Sequence, residues 1–198
     1  MRHVRSGLSD PMNIGFDASP MIHSAGGISS YVGNLFKALL DLKSRNTFWG
    51  YIPVGSSSKL EWLGEEYGDH LKWVEIGPWN FRNRGVKDQL DLYHGANFKL
   101  QTVGRLGTVL TIHDLWLDRH PEYSRKFFGQ RLSFFRTKRR VHKASRIIAV
   151  SDFTAKEIQE FYEVPVNKIS VVRHGISRDF FPDPRSDEEF HFLRERFG

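Results

Sequence analysis

Short apolar runs alternate with amphipathic stretches along most of the chain, and this alternation restricts the architecture more than any other feature of the sequence. Runs such as Thr108–Ile112 and Arg146–Val150 are largely apolar and β-branched rather than strictly alternating apolar with polar. Strands of that kind are buried on both faces, as happens when crossover helices cover both sides of a parallel sheet. The strand candidates are Asn13–Asp17, Thr47–Val54, Leu71–Ile76, Asp91–His94, Thr108–Ile112, Arg146–Val150 and Ile169–Val172. Between the first two, Ala18 to Gly27 reads as a loop, and Ile28, Tyr31, Val32, Leu35, Leu39 and Leu42 then fall on one helical stripe. A long helix is predicted from about Tyr123 to Lys143. Ser151 caps another, with Phe153, Ile158, Phe161 and Tyr162 as its apolar positions. The pattern predicts an α/β fold: a Rossmann-like, doubly wound, mostly parallel sheet with helices on both faces.

A chain of 198 residues has room for one such domain rather than two of about 150 residues each. Residues 1–12 carry no pattern and are expected to be a disordered leader, with Met12 a candidate start. Residues 13–185 form the expected domain. Residues 186–198, opening on a capping box from Ser186 to Glu189, are expected to be a helix and linker. The absence of cysteine excludes disulfides, thiolate metal sites and cysteine nucleophiles, and it fits a cytoplasmic location. No apolar run approaches the roughly 18 residues a membrane span needs. A formal charge of +6 suits anionic partners without selecting among them.

Ligands of doubly wound sheets bind at the carboxyl ends of the strands, which directs attention to the loops that follow them. His23, His94, His113 and His174 all lie near or after such ends. Taken singly, each reads as a structural histidine. No two of them have the helical or zinc-type spacing of a metal site, so no metal is expected. Gly26 and Gly27 open the first long helix, where free amides and the helix dipole suit an anion, although a plain flexible turn explains the pair equally well. Neither a dinucleotide fingerprint nor a P-loop is present, which speaks against NAD and ATP and leaves no cofactor expected. His113 is delivered by an apolar strand, with Asp114 beside it as an orienting or helix-capping group. An imidazole there can bond a substrate hydroxyl or steady developing charge near neutral pH.

Several short motifs occur in a fixed order: Gly26-Gly27-Ile28 with Tyr31, Asp91-Leu92-Tyr93-His94, Thr111-Ile112-His113-Asp114-Leu115, Ile148-Ala149-Val150-Ser151 with Phe153-Thr154, and Val171-Val172-Arg173-His174-Gly175-Ile176. As a set, covering roughly residues 13–198, they resemble the N-terminal domain of the GT4 family (glycosyl transferase group 1), retaining GT-B glycosyltransferases, and within it the mannosyltransferase-like members. The resemblance implies a nucleotide-sugar donor, held mainly by a second domain, and a glycan or lipid-linked glycan acceptor held mainly by this one. It implies that Gly27 amides approach the donor diphosphate and that His113 faces the donor sugar. Ser151, His174 and Gly175 are implied to line the cleft, and His94 to sit near the acceptor. Transfer in the family is thought to proceed by same-face attack, with the leaving diphosphate helping to take the acceptor proton. Two departures stand out. Leu100-Gln101 replaces the usual Leu-Pro, and no two glutamates are spaced as in the E-x7-E motif of the family's second domain. The expectation is therefore an acceptor-side domain that transfers no sugar by itself. The competing expectation is a non-catalytic module that binds glycan or anionic lipid.

Nine Lys or Arg residues and no acidic one lie between Arg125 and Arg146, interleaved with phenylalanines. Phe128, Leu132 and Phe135 are spaced for core packing, which makes the charges a solvated face. Equally, Arg136, Lys138, Arg139 and Arg140 could meet an anionic membrane at the inner face. Nucleic acid has only this helix in its favour, and no nucleic-acid partner is expected.

Overall fold

The computed structural model describes residues 10–23, 26–77, 89–98, 106–123, 127–176, 191 and 194–196. The first half of the chain forms β1 (Asn13–Asp17), α1 (Pro20–His23), α2 (Gly27–Asp41), β2 (Thr47–Pro53), α3 (Glu61–Tyr67) and β3 (Leu71–Ile76). The second half forms β4 (Leu92–Gly95), β5 (Gly107–Ile112), α4 (Trp116–Arg119), α5 (Phe127–Lys143), β6 (Arg146–Ala149), α6 (Asp152–Tyr162) and β7 (Ile169–Val171). All seven strands join one sheet in the order β3-β2-β1-β4-β5-β6-β7, and every pairing is parallel. The chain winds outward from β1 in one direction to β3, then reverses at β4. Between β1 and β4 lies the topological switch point, where sheets of this order open a crevice at their carboxyl ends.

Register decides which side chains share a face. Phe16 pairs with His94 across β1 and β4, and His94 with Val109 across β4 and β5. Alternation along β5 then sets Thr111 on the same side as His94, and carries His113 to that side one step beyond the strand. This is the face that α2 covers. Ile14, Phe16, Phe48 and Ile52 from the strands meet Val32, Phe36 and Leu40 of α2 in one core cluster. The opposite face packs Tyr93, Leu110, Ile112 and Ile147 against Val141 of α5 and Ile158 and Tyr162 of α6. Both clusters are sets of buried aliphatic and aromatic side chains of the kind that supply most of a domain's stability.

Differences from the sequence expectation have local causes. Strand ends move by a residue or so, and α1 forms inside the stretch read as a loop. Helix α3 and the 3-10 turn Ser57–Leu60 before it were not expected, because a seven-residue helix containing Gly64 carries too short a pattern. The buried stripe of α2 is Val32, Phe36 and Leu40, with Ile28, Tyr31, Leu35 and Leu39 half-buried beside it. Leu42 is 73% exposed, since the helix ends at Asp41 and the chain turns outward. Phe153, expected on the apolar side of its helix, sits in the first turn of α6 and is exposed. Phe135 is also exposed, so it does not continue a core stripe on α5; there Thr137 and Val141 turn inward. Among the described residues no helix is long and apolar enough to cross a membrane. Residues 1–9 of the expected leader and the Ser186–Glu189 capping box lie outside the described residues.

Candidate active site

Helix α2 starts where β1 hands the chain over to the cleft. Gly26 is its N-cap with φ 137°, a left-handed backbone that disfavours any residue with a Cβ. No side chain caps the first turn. A Cβ built on Gly26 or on Gly27 would meet no atom within 4 Å, so neither glycine is required by close packing. The helix dipole and unpaired amides of such a turn favour a negative group. One helical turn further along the same face stands Tyr31.

Tyr31 is the centre of the cluster that the fold assembles. Its ring lies edge-on to His113 at 4.7 Å between centroids, and 4.7 Å from His174, while the two imidazoles are 5.8 Å apart. Phe98, from the loop after β4, closes one side of His113 at 6.2 Å. Four segments thus converge: α2, the loop after β4, the end of β5 and the end of β7. Burial raises the Tyr31 phenol above its ordinary range, against the pull of a hydrogen bond with the Thr111 side chain. Tyr31 is therefore a neutral donor near pH 7.

His113 is half-buried, and that desolvation pushes its pKa below the usual value, with the neighbouring His174 acting in the same sense. The bond to Ala96 and the proximity of Asp114 work the other way. Its Nε2 lies 3.0 Å from the Ala96 carbonyl oxygen. A carbonyl only accepts, so Nε2 carries the proton and the neutral ring keeps Nδ1 as an acceptor. The side chain is thereby fitted to accept a hydrogen bond from a hydroxyl. His94 has a different environment. It is buried in the sheet, edge-on to Phe16, with Nε2 2.9 Å from the Thr111 hydroxyl. Burial lowers its pKa to about 4, so it is uncharged at neutral pH.

The remaining expected site residues divide into two groups. Ser151 lies close to the cluster: its hydroxyl accepts from the Thr154 amide at 3.0 Å, capping α6, and the Thr154 hydroxyl donates to the His113 carbonyl at 3.2 Å. Gly175 follows His174 in an exposed segment, with open space where a Cβ would stand. Asp114 is exposed and accepts from the Trp116 amide at 3.0 Å, one residue ahead of Leu115, the N-cap of α4. The four basic residues of α5 do not act as one surface. Arg136 and Arg139 are exposed, but Lys138 pairs with Glu163 at 3.2 Å and Arg140 is half-buried, donating to the Phe98 carbonyl at 3.4 Å. Arg140 thus braces the loop that carries Phe98 instead of facing outward. The side chain of His23 lies outside the described residues. No group of three or more His, Asp or Glu side chains among the described residues could hold a metal ion. Sequence reasoning missed the roles of Tyr31, Thr111 and Phe98. A polar aromatic one turn after Gly27, within an apolar stripe, was the available signal for Tyr31.

The strand order, with its reversal at β4, defines a Rossmann-like α/β domain, and sheets of this order bind ligands at the carboxyl ends of the strands by the switch point, where the Tyr31 cluster lies. Residues 25–180 match the model of Glycosyltransferase Family 4, and the chain belongs to that family. Among solved structures it is similar to Anabaena HepE in complex with UDP, at 16% identity and a TM-score of 0.61 over 93% of this chain and 49% of that one. The HepE complex with UDP and glucose gives 18% identity and a TM-score of 0.56, over 96% and 50%. A glycosyltransferase from Rickettsia africae ESF-5 gives 15% and 0.54, over 95% and 50%. The likeness is one of fold, that of a GT-B glycosyltransferase N-terminal domain, and the chain spans about half the length of these proteins. None of the curated protein sequences matches it.

Proposed function

We propose that this domain is the acceptor side of a retaining glycosyltransferase. It carries a glycan or lipid-linked glycan to a nucleotide-sugar whose donor hexose, mannose by the sequence resemblance, is transferred with its anomeric configuration kept. The observation that carries the reading is the Tyr31–His113–His174 cluster standing one helical turn from the Gly26–Gly27 start of α2. The amides suit a diphosphate, and the neutral His113 suits a hydroxyl of the transferred sugar. Charge developing on the leaving diphosphate is then met by fixed dipoles rather than by reorganising water, the most effective form of electrostatic catalysis. No cofactor is required on this reading, because the donor is itself a substrate. A cytoplasmic site of action, with Arg136, Arg139 and Phe135 of α5 resting on an anionic membrane surface, fits a lipid-linked acceptor.

The UDP and glucose held by HepE make UDP-glucose a reasonable first donor beside GDP-mannose. The test is amide and imidazole NMR of the 198-residue chain titrated with UDP, GDP and the two nucleotide sugars. Shifts at Gly27, Ile28 and the His113 ring, absent in Gly27→Pro, are the expected result. Shifts confined to other parts of the chain would overturn the assignment. The same mixtures with an oligosaccharide added should show no transfer, since on this reading the groups that grip the donor belong to a second domain. Turnover by this chain alone would refute that part.

A further inference from the structure

An aromatic surface stands beside the cleft without any part in the cluster just described. Trp116 and Tyr123 have ring planes within 25° of each other, with centroids 6.0 Å apart, and His120 fills the angle between them at 4.2 Å from Trp116 and 6.1 Å from Tyr123. Trp116 is 54% exposed and Tyr123 67%, with Leu117 exposed beside them. Large rings held in water against one another, not against the core, invite a ligand that covers them.

The segment is rigidly held. Leu115 is buried beneath it, Tyr162 of α6 donates to Asp118, and Arg119 bonds Glu157 of α6 at 2.7 Å. Asp114 caps its first amide, and His120 lies 3.2 Å from the Glu122 carboxylate. These bonds fix the Trp116 side of the segment, which lowers the ordering cost of binding there. The position matters as well. Trp116 follows His113 by three residues, at most about 11 Å of extended chain, at the carboxyl end of β5.

Charge argues for one kind of occupant. Asp114, Asp118 and Glu122 outnumber the single cation Arg119 between residues 114 and 123. Among residues 114–123 the one Lys or Arg, Arg119, is tied to Glu157, so this stretch gives an anionic lipid surface little to hold, whereas sugar hydroxyls donate readily to carboxylates. Pyranose rings also present an apolar C–H face to an aromatic plane, and Trp116 and Tyr123 are each more than half exposed to receive one. We propose that Trp116 and Tyr123 form a stacking platform for neutral pyranose residues of the acceptor glycan. In calling the glycan an acceptor the proposal rests on the function proposed above; the platform itself does not.

The experiment is 19F NMR of the full chain labelled with 5-fluorotryptophan, titrated separately with maltohexaose, cellohexaose and mannohexaose. Trp116→Phe identifies the Trp116 signal by its loss. The expected result is a saturable millimolar shift of that signal with at least one glycan, no movement of the exposed Trp62 signal, and roughly tenfold weaker binding in Tyr123→Ala. Both substitutions are at exposed positions, and circular dichroism checks that the fold is kept. The proposal is overturned if none of the glycans moves the Trp116 signal, if Tyr123→Ala binds as well as the parent, or if only phosphatidylglycerol vesicles move it. Nucleotide shifts at Gly27 without a glycan shift at Trp116 reject the platform and keep the proposed function. Glycan shifts without nucleotide shifts do the reverse.

Discussion

His94 offers a measurable consequence of burial, worked through the replacement His94→Gln. Burial lowers the pKa of the folded imidazole from 6.5 to about 4. An unfolded chain takes up its proton near the ordinary value, so below pH 6.5 the unfolded state binds more protons than the folded one. Stability is therefore full above pH 6.5, falls as the pH drops, and stops falling below about 4. At about 1.4 kcal/mol per pH unit the whole loss is about 3 kcal/mol, of which about 2 appears by pH 5. Glutamine keeps an amide able to bond Thr111 but does not titrate. Urea unfolding followed by circular dichroism at pH 7, 6 and 5 should show the parent losing about 2 kcal/mol more than the variant over that interval. His113 and the carboxylates are common to both chains and cancel in the difference. A difference that stays constant from pH 7 to pH 5, or one that grows in the parent's favour toward acid, would refute the reasoning. So would a folded-state titration of the His94 ring at 6.5 or above. The result bears on function, because a neutral, buried His94 is a structural partner of Thr111 beneath the cluster and not a cation for phosphate.

Two stability predictions rest on packing. In Gly50→Ala the new Cβ would stand 2.3 Å from Cζ3 and 2.6 Å from Cε3 of Trp73, an overlap the indole must move to relieve, and the unfolding midpoint in urea should fall by an amount equivalent to about 1–3 kcal/mol. In Arg119→Met the Glu157 carboxylate, 5% exposed, loses its 2.7 Å partner, and the same measurement at pH 7 should show a loss of about 1–3 kcal/mol.

The sheet was legible because period and β-branching are properties of short segments, and all seven strands lie where those patterns fall. Cleft residues needed more. His94 and His113 look alike in the sequence, each at the end of an apolar run. Register across three strands is what buries one against Phe16 and opens the other toward Tyr31, and register is a long-range property. Arg140 and Phe135 exchanged expected roles for a similar reason. The rotation of α5 about its axis, fixed by contacts with β5 and α6, decides which of its residues face inward, and a helix basic on nearly every turn does not announce that rotation. Trp116 and Tyr123 gave no signal at all, because six residues lie between them and only a tight turn brings their rings together.

The strand order also fixes a timetable. Residues 14–71 supply every buried member of the α2-side cluster except Ala96, so a nascent chain that has released β3 can already close that face. The other face waits: Tyr51 and Val74 belong to a cluster whose remaining members begin at Tyr93 and end at Val164. During synthesis, domains form from the N-terminal side first, and exposed apolar surface at that stage is where partly made chains aggregate. For this domain the vulnerable interval runs from the completion of β3 to the docking of α5 and α6. A ribosome-bound chaperone would find its target on the Tyr51–Val74 side of a three-stranded sheet.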